Sequence, residues 1–180
     1  MRRLIITLTI LGIISAVVLA FVYEWTTPKI EEHTRAARES AILAVLPESD
    51  SFREVKKSGM VFYEGNKDNE VAMIISGGGF QGQIELMIGA NPTTEKIYAI
   101  RVLNHSETPG LGANITGEKF GNNFTNKPFG EYEVVKKPVD QKQEPYKVEA
   151  ISGATISSEK VTSIIEEAIK ELKEVYGSEA

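Results

Sequence analysis

Cysteine is absent from this 180-residue chain. Without a thiolate the chain cannot ligate an iron–sulfur cluster, close a disulfide or attack a substrate through sulfur. The same absence leaves the redox compartment open. Histidine is scarce: His33 and His105 are the only two, and they lie far apart. A His-rich metal site is therefore not available, although coordination by oxygen alone stays open. There is no long basic run, and the formal net charge is -5. An acidic surface repels phosphate backbones, so nucleic acid is not an expected partner. No spacing supports a Ser-His-Asp constellation, and no residue is assigned a catalytic role. What the chain does have is apolar content, 42% of its residues. That is enough for a core and too much for wholesale disorder.

Much of that content is concentrated at the start. Leu4 to Tyr23 is apolar apart from threonine, serine and glycine. About 20 such residues suffice to cross a hydrocarbon core as a helix. Arg2 and Arg3 precede the run, and Glu24, Glu31 and Glu32 follow it with Lys29 among them. The positive-inside rule places the N-terminus in the cytoplasm and the remainder on the extracytoplasmic side. Tyr23 and Trp25 stand where an interfacial aromatic belt would lie. A cleaved signal peptide is the rival reading, with Val18 and Ala20 as small residues at the cleavage site. The run exceeds the usual h-region of about 7–15 residues, which favours an anchor. Either reading exports the remaining residues, roughly 155 of them, an ordinary size for one domain.

Thr27-Pro28 reads as an N-cap followed by proline at the first helical position. Glu31 and Glu32 suit the positive end of the helix dipole. Ile30, Thr34, Ala37, Ala41 and Val45 form a helical stripe that Pro47 ends. From Phe52 the pattern turns to short strands: Val61–Tyr63, Val71–Ile75, Gln83–Gly89, Lys96–His105 and Tyr132–Lys136. Gly77 to Gly82 reads as a loop, and Asn91-Pro92-Thr93-Thr94 as a turn. Thr116 is placed to cap a short helix in which Phe120 and Phe124 lie one turn apart. Val161, Ile164, Ile165, Ala168, Ile169, Leu172 and Val175 recur at helical spacing and define a last amphipathic helix, with Ser157 or Ser158 as its cap. The expected organisation is an anchor over 1–25, a linking amphipathic helix over 26–48 and an α+β domain over 49–180. In that domain an antiparallel or mixed sheet packs against helices.

Two segments carry chemistry. Ser152-Gly153-Ala154-Thr155 lies directly before the last helix. Unpaired N–H groups and the helix dipole favour an anion there, and the small residues let a phosphate approach the backbone. Ordinary capping explains the same residues, and on chemistry alone it is the favoured reading. His105-Ser106-Glu107-Thr108-Pro109-Gly110-Leu111-Gly112 follows a strand. It reads either as a rigid solvated loop or as a ligand loop on a rigid scaffold. The Gly77–Gly82 loop has neither the spacing of a dinucleotide loop nor the lysine of a P-loop. Asn104, Asn114 and Asn123 begin Asn-x-Ser/Thr triplets, which matter only in a glycosylating pathway.

Taken in order, the apolar anchor, Gly79-Phe80-Gln81-Gly82, Glu107-Thr108-Pro109-Gly110-Leu111-Gly112 and Ser152-Gly153-Ala154-Thr155 form a more specific series. The chain resembles the G subunits of Rnf electron-transport complexes. It is also similar to the C subunits of sodium-translocating NADH:quinone reductases, which share an FMN-binding domain. The resemblance covers nearly the whole chain and implies a covalent cofactor. A flavin transferase would use FAD to place FMN on Thr155 through a phosphoester, with Ser152, Gly153 and Ala154 as the recognition site and phosphate surroundings. It implies further that Glu107, Thr108, Leu111 and Gly112 approach the flavin ring. The family often has aspartate where this chain has Glu149, which bears on transferase efficiency. The implied role is an electron-carrying subunit of an ion-translocating complex that moves electrons between ferredoxin and NAD with sodium or proton transport. Its partners would be the other Rnf subunits, and the isolated chain would have no complete activity. The shortness of the chain favours Rnf over the quinone-reductase subunit. An exported FMN-binding domain serving another reductase, and an anchored assembly subunit with an empty site, are the alternatives.

Overall fold

The structure, a computed structural model, describes the backbone of residues 2–67 and 69–177, and the side chains of all of these except 28–34. Its elements are the helix α1 (Arg2–Val45), the strands β1 (Phe52–Lys57), β2 (Met60–Gly65), β3 (Val71–Gly78), β4 (Gln83–Asn91) and β5 (Lys96–His105), the short helix α2 (Glu118–Gly121), the strands β6 (Glu133–Val135) and β7 (Lys147–Glu149), and the helix α3 (Thr155–Tyr176). Two compact units divide the chain, Met1–Glu39 and Ser40–Ala180.

The first unit is helical. Within its Arg2–Thr27 stretch, an 18-residue run has a mean hydropathy of 2.8 with none of it buried, so the stretch is long and apolar enough to cross a membrane. Helix formation does not restart at Thr27 as the Thr-Pro pair predicts. The Thr27 hydroxyl instead donates back to the Tyr23 carbonyl at 2.7 Å, the usual bond of a threonine within a helix. The side chains of Pro28, Lys29, Ile30, Glu31, Glu32, His33 and Thr34, on which part of that expectation rests, lie outside the described residues.

The second unit is built on an antiparallel meander in the order β1-β2-β3-β4-β5. Alternation along the strands sends neighbouring side chains to opposite faces. Phe62, Met73, Leu86 and Ile88 meet Val161, Ile165, Ala168 and Leu172 of α3 on one side. Tyr63, Ala72 and Met87 meet Ile42, Val45 and Leu46 on the other. Both faces of the central strands are therefore covered. The burying residues at the end of α1 are Ile42 and Val45, joined by Leu46 just after it, whereas Ala37, expected in the stripe, is exposed.

Strand pairing also sets the position of the site. Gly77 and Gly78 are not loop residues: they pair with Ile84 and Gln83, leaving Gly79–Gly82 as the hairpin tip. Ile84 in turn pairs with His105. The tip therefore sits beside the point where the chain leaves β5 for the segment that begins at Ser106. At the opposite hairpin, Asn91 Oδ1 accepts from the amides of Thr93 and Thr94 at 3.0 Å each, which closes the expected turn. Thr116 is not a cap. It ends a 3-10 turn over Gly112–Thr116 and donates to the Ala113 carbonyl, while Gly117 precedes α2. Phe120 and Phe124 do meet, edge to face, at 5.7 Å. β6 and β7 form a separate parallel pair, and β7 was not foreseen because three residues are too short to show a period.

Candidate functional site

The site begins at the start of α3. Ala154 occupies the cap position and makes no side-chain cap bond. Ser157 and Ser158, the expected caps, lie inside the first turn and face inward. Ser158 Oγ donates to the Ala154 carbonyl and accepts from the Ile151 amide, both at 3.0 Å. Ser157 Oγ donates to Glu107 Oε2 at 2.6 Å. The sequence rule places a serine near a helix start, but the helix starts earlier, since the Ser158 amide already bonds to the Ala154 carbonyl. Thr155 is consequently the first helical residue. The opening N–H groups of a helix have no partner within it, and here the cap residue, Ala154, has no side-chain oxygen to take their place. Gly153 sits at φ +77°, a left-handed conformation that a side chain would strain.

Three segments converge on Thr155. A cavity of about 320 Å³ is walled by Phe80 from the hairpin tip, by Glu107, Thr108, Leu111 and Gly112 from the segment after β5, and by residues 153–157. Phe80, Leu111 and Ile156 remain about half exposed there, at 59%, 47% and 48%. A second cavity of about 820 Å³ shares Gly153 and Thr155 with the first. It adds Ser152, Lys119, Asn123, Lys136 and Glu149. The structure therefore brings Gly153, Ala154, Thr155, Glu107, Thr108, Leu111 and Gly112 around one space, and places Ser152 on the far side of Thr155. Sequence reasoning assigned no role to Ile156 or the two lysines, and to Ser157 only that of a cap. The outward-facing apolar residue in the first turn of an otherwise amphipathic helix was the available signal for Ile156.

The electrostatics centre on Glu107, whose residue is 5% exposed. Its Oε1 accepts from the amides of Phe80 at 2.7 Å and Gln81 at 3.2 Å. Its own amide donates to His105 Nδ1 at 3.2 Å. Burial alone would raise the carboxyl's pKa. The Ser157 hydroxyl and the amides of Gln81 and Phe80 outweigh that, and hold it below the usual carboxylate range. Glu149 is paired with Lys119 at 3.0 Å, and its amide donates to Asn123 Oδ1 at 3.0 Å.

Residues 79–170 match the FMN-binding domain model. Over 172 residues the chain is 30% identical to the G subunit of the proton-translocating ferredoxin:NAD(+) oxidoreductase complex of Clostridium ljungdahlii, covering 94% of this chain and 90% of that one. The chain belongs to this family of FMN-binding G subunits. A second member, the G subunit of the ion-translocating oxidoreductase complex of Methanosarcina acetivorans, is 29% identical over 93% of this chain and 92% of its own length. Among solved structures, the NqrC protein of Shewanella oneidensis superposes with a TM-score of 0.56 at 20% identity, covering 69% of this chain and 70% of that one. That likeness establishes the fold. The matched FMN-binding domain contains all three segments of the site.

The residues present suit FMN. An uncapped helix start offers amide donors to a phosphate, and a threonine hydroxyl stands at its first position. The adjoining cavity has the apolar character and size of a small-ligand site.

Proposed function

We propose that this chain carries FMN as a phosphoester on Thr155 and relays electrons through it within a membrane-bound ion-translocating complex. The complex would move electrons between ferredoxin and NAD, as the name of the Clostridium relative states for that protein. The observation that carries the reading is Thr155 itself, first residue of an uncapped helix and shared wall of two cavities. A flavin transferase would direct the Thr155 hydroxyl onto the FMN phosphorus of FAD. The O–P bond to threonine forms as the bond to AMP breaks, and the hydroxyl proton is lost.

When bound, the flavin supplies the electron uptake and release; the chain supplies position and surroundings. The amides at the start of α3 would face the phosphate. Gly153 and Ala154 leave the approach to it unobstructed. Thr108 and Leu111, with Phe80 and Ile156, would flank the ring, and Ser152 would belong to the transferase recognition surface on the other side of Thr155. The helix Arg2–Thr27 would hold the domain at the extracytoplasmic face, so that the tether keeps the cofactor with the complex.

Denaturing electrophoresis of the full chain from its native membrane should show a flavin-fluorescent band. Peptide mass analysis should find FMN, joined with loss of water, on the peptide containing Thr155. Thr155→Ala should abolish both signals. Covalent flavin persisting in that variant refutes the assignment.

A further inference from the structure

Glu107 is placed differently from a residue that reaches for a ligand. Its carboxylate is committed to the chain itself, and its partners come from separate segments: the amides of Phe80 and Gln81 at the hairpin tip, and the hydroxyl of Ser157 in the first turn of α3. The backbone is drawn tightly around it. A Cβ at Gly112 would lie 2.5 Å from Oε2 and 2.7 Å from Ser157 Oγ, and one at Gly79 would overlap Oε1 and approach the Gly82 carbonyl to 2.8 Å. Each anchored position adjoins one of the apolar side chains of the cavity. Phe80 is bonded through its own amide, Leu111 precedes Gly112, and Ile156 precedes Ser157.

We propose that Glu107 is the positioning residue of the flavin site: its buried carboxylate clasps the three segments that carry Phe80, Leu111 and Ile156, and puts a fixed negative charge in the cavity wall. The inference rests on the reading that FMN occupies this cavity. It refines the expectation that Glu107 contacts the ring. Glu107 acts through the backbone it holds and through its charge, which opposes the addition of an electron nearby and so lowers the flavin potential.

The test uses the full-length, flavin-loaded chain and two variants. In Glu107→Gln a carbonyl remains for the two amides and an N–H can meet Ser157 Oγ, so the clasp persists while the charge is lost. Glu107→Ala leaves all three donors without an acceptor. Glu107→Gln should stay loaded, with the ratio of reduced to oxidised flavin at a fixed potential raised at least several-fold. Glu107→Ala should show faster amide exchange at Phe80 and Gln81, and it should do so equally in a Thr155→Ala background, where covalent flavin is absent. An unchanged potential in Glu107→Gln overturns the electrostatic role. Unchanged exchange in Glu107→Ala overturns the clasp. A wild-type chain without a flavin band refutes the flavin reading and with it the redox role, and amide exchange then decides the clasp alone.

Discussion

At the scale of single residues, Glu107 joins the fold to the site. Its folded carboxyl titrates below the usual range, with burial opposing and the hydrogen bonds of Ser157, Gln81 and Phe80 prevailing. A group whose pKa is depressed by folding lends stability above its unfolded value, about 4.3 for glutamate. That stability is lost as pH falls through the lower folded value, because the unfolded state then binds the proton more readily. The unfolding free energy of the flavin-free wild-type chain should therefore fall more steeply on acidification below about 4 than that of Glu107→Gln. Urea titrations at neutral and acidic pH measure this, and parallel pH profiles would refute it. The motif around Glu107 was legible in the sequence as a segment. Its clasp was not, because the partners lie 26, 27 and 50 residues away and depend on strand register. The role proposed for Thr155 comes through resemblance, since on chemistry alone ordinary capping is the favoured account of its four-residue motif.

At the scale of elements, periodicity was the reliable signal. The stripe from Val161 to Val175 became the face of α3, with Val161, Ile165, Ala168 and Leu172 each 0% exposed against the sheet. Because this face fixes the helix whose first turn forms the site, its packing bears on function. Leu172 is near the far end of α3 from Thr155, and Leu172→Ala should cost ~2–5 kcal/mol through lost burial and a residual cavity. Denaturant unfolding of the wild-type and variant chains measures this, with a loss under ~1 kcal/mol marking a site that collapses to fill the space. Element ends were less legible. Thr27, Thr116, Ser157 and Ser158 all have the chemistry of caps, yet each bonds to a carbonyl of a preceding residue or to Glu107. A hydroxyl near a helix start has several acceptors within reach, and tertiary contacts choose among them. The central strands were found because β-branched and apolar runs mark them. β7 needed its partner β6 to be seen.

At the scale of the whole molecule, the open question with a direct physical answer is which side of the membrane holds the flavin domain. Arg2 and Arg3 before the apolar helix, and Glu24 at its other end, predict a cytoplasmic N-terminus and an extracytoplasmic domain. The absence of cysteine provides the probe, because a single introduced thiol is the only one the chain would carry. Lys137 is exposed and lies outside the three segments around Thr155, so Lys137→Cys should leave the fold intact. A thiol reagent that cannot cross the cytoplasmic membrane should label this variant in intact cells as fully as in cells whose membrane has been breached. Labelling only after breaching would place the domain in the cytoplasm and reverse the topology. It would also remove the physical reason for a covalent tether, since a cytoplasmic flavoprotein can reload free cofactor from its surroundings. The outcome thus bears on the orientation and on why Thr155 would hold its cofactor by a bond.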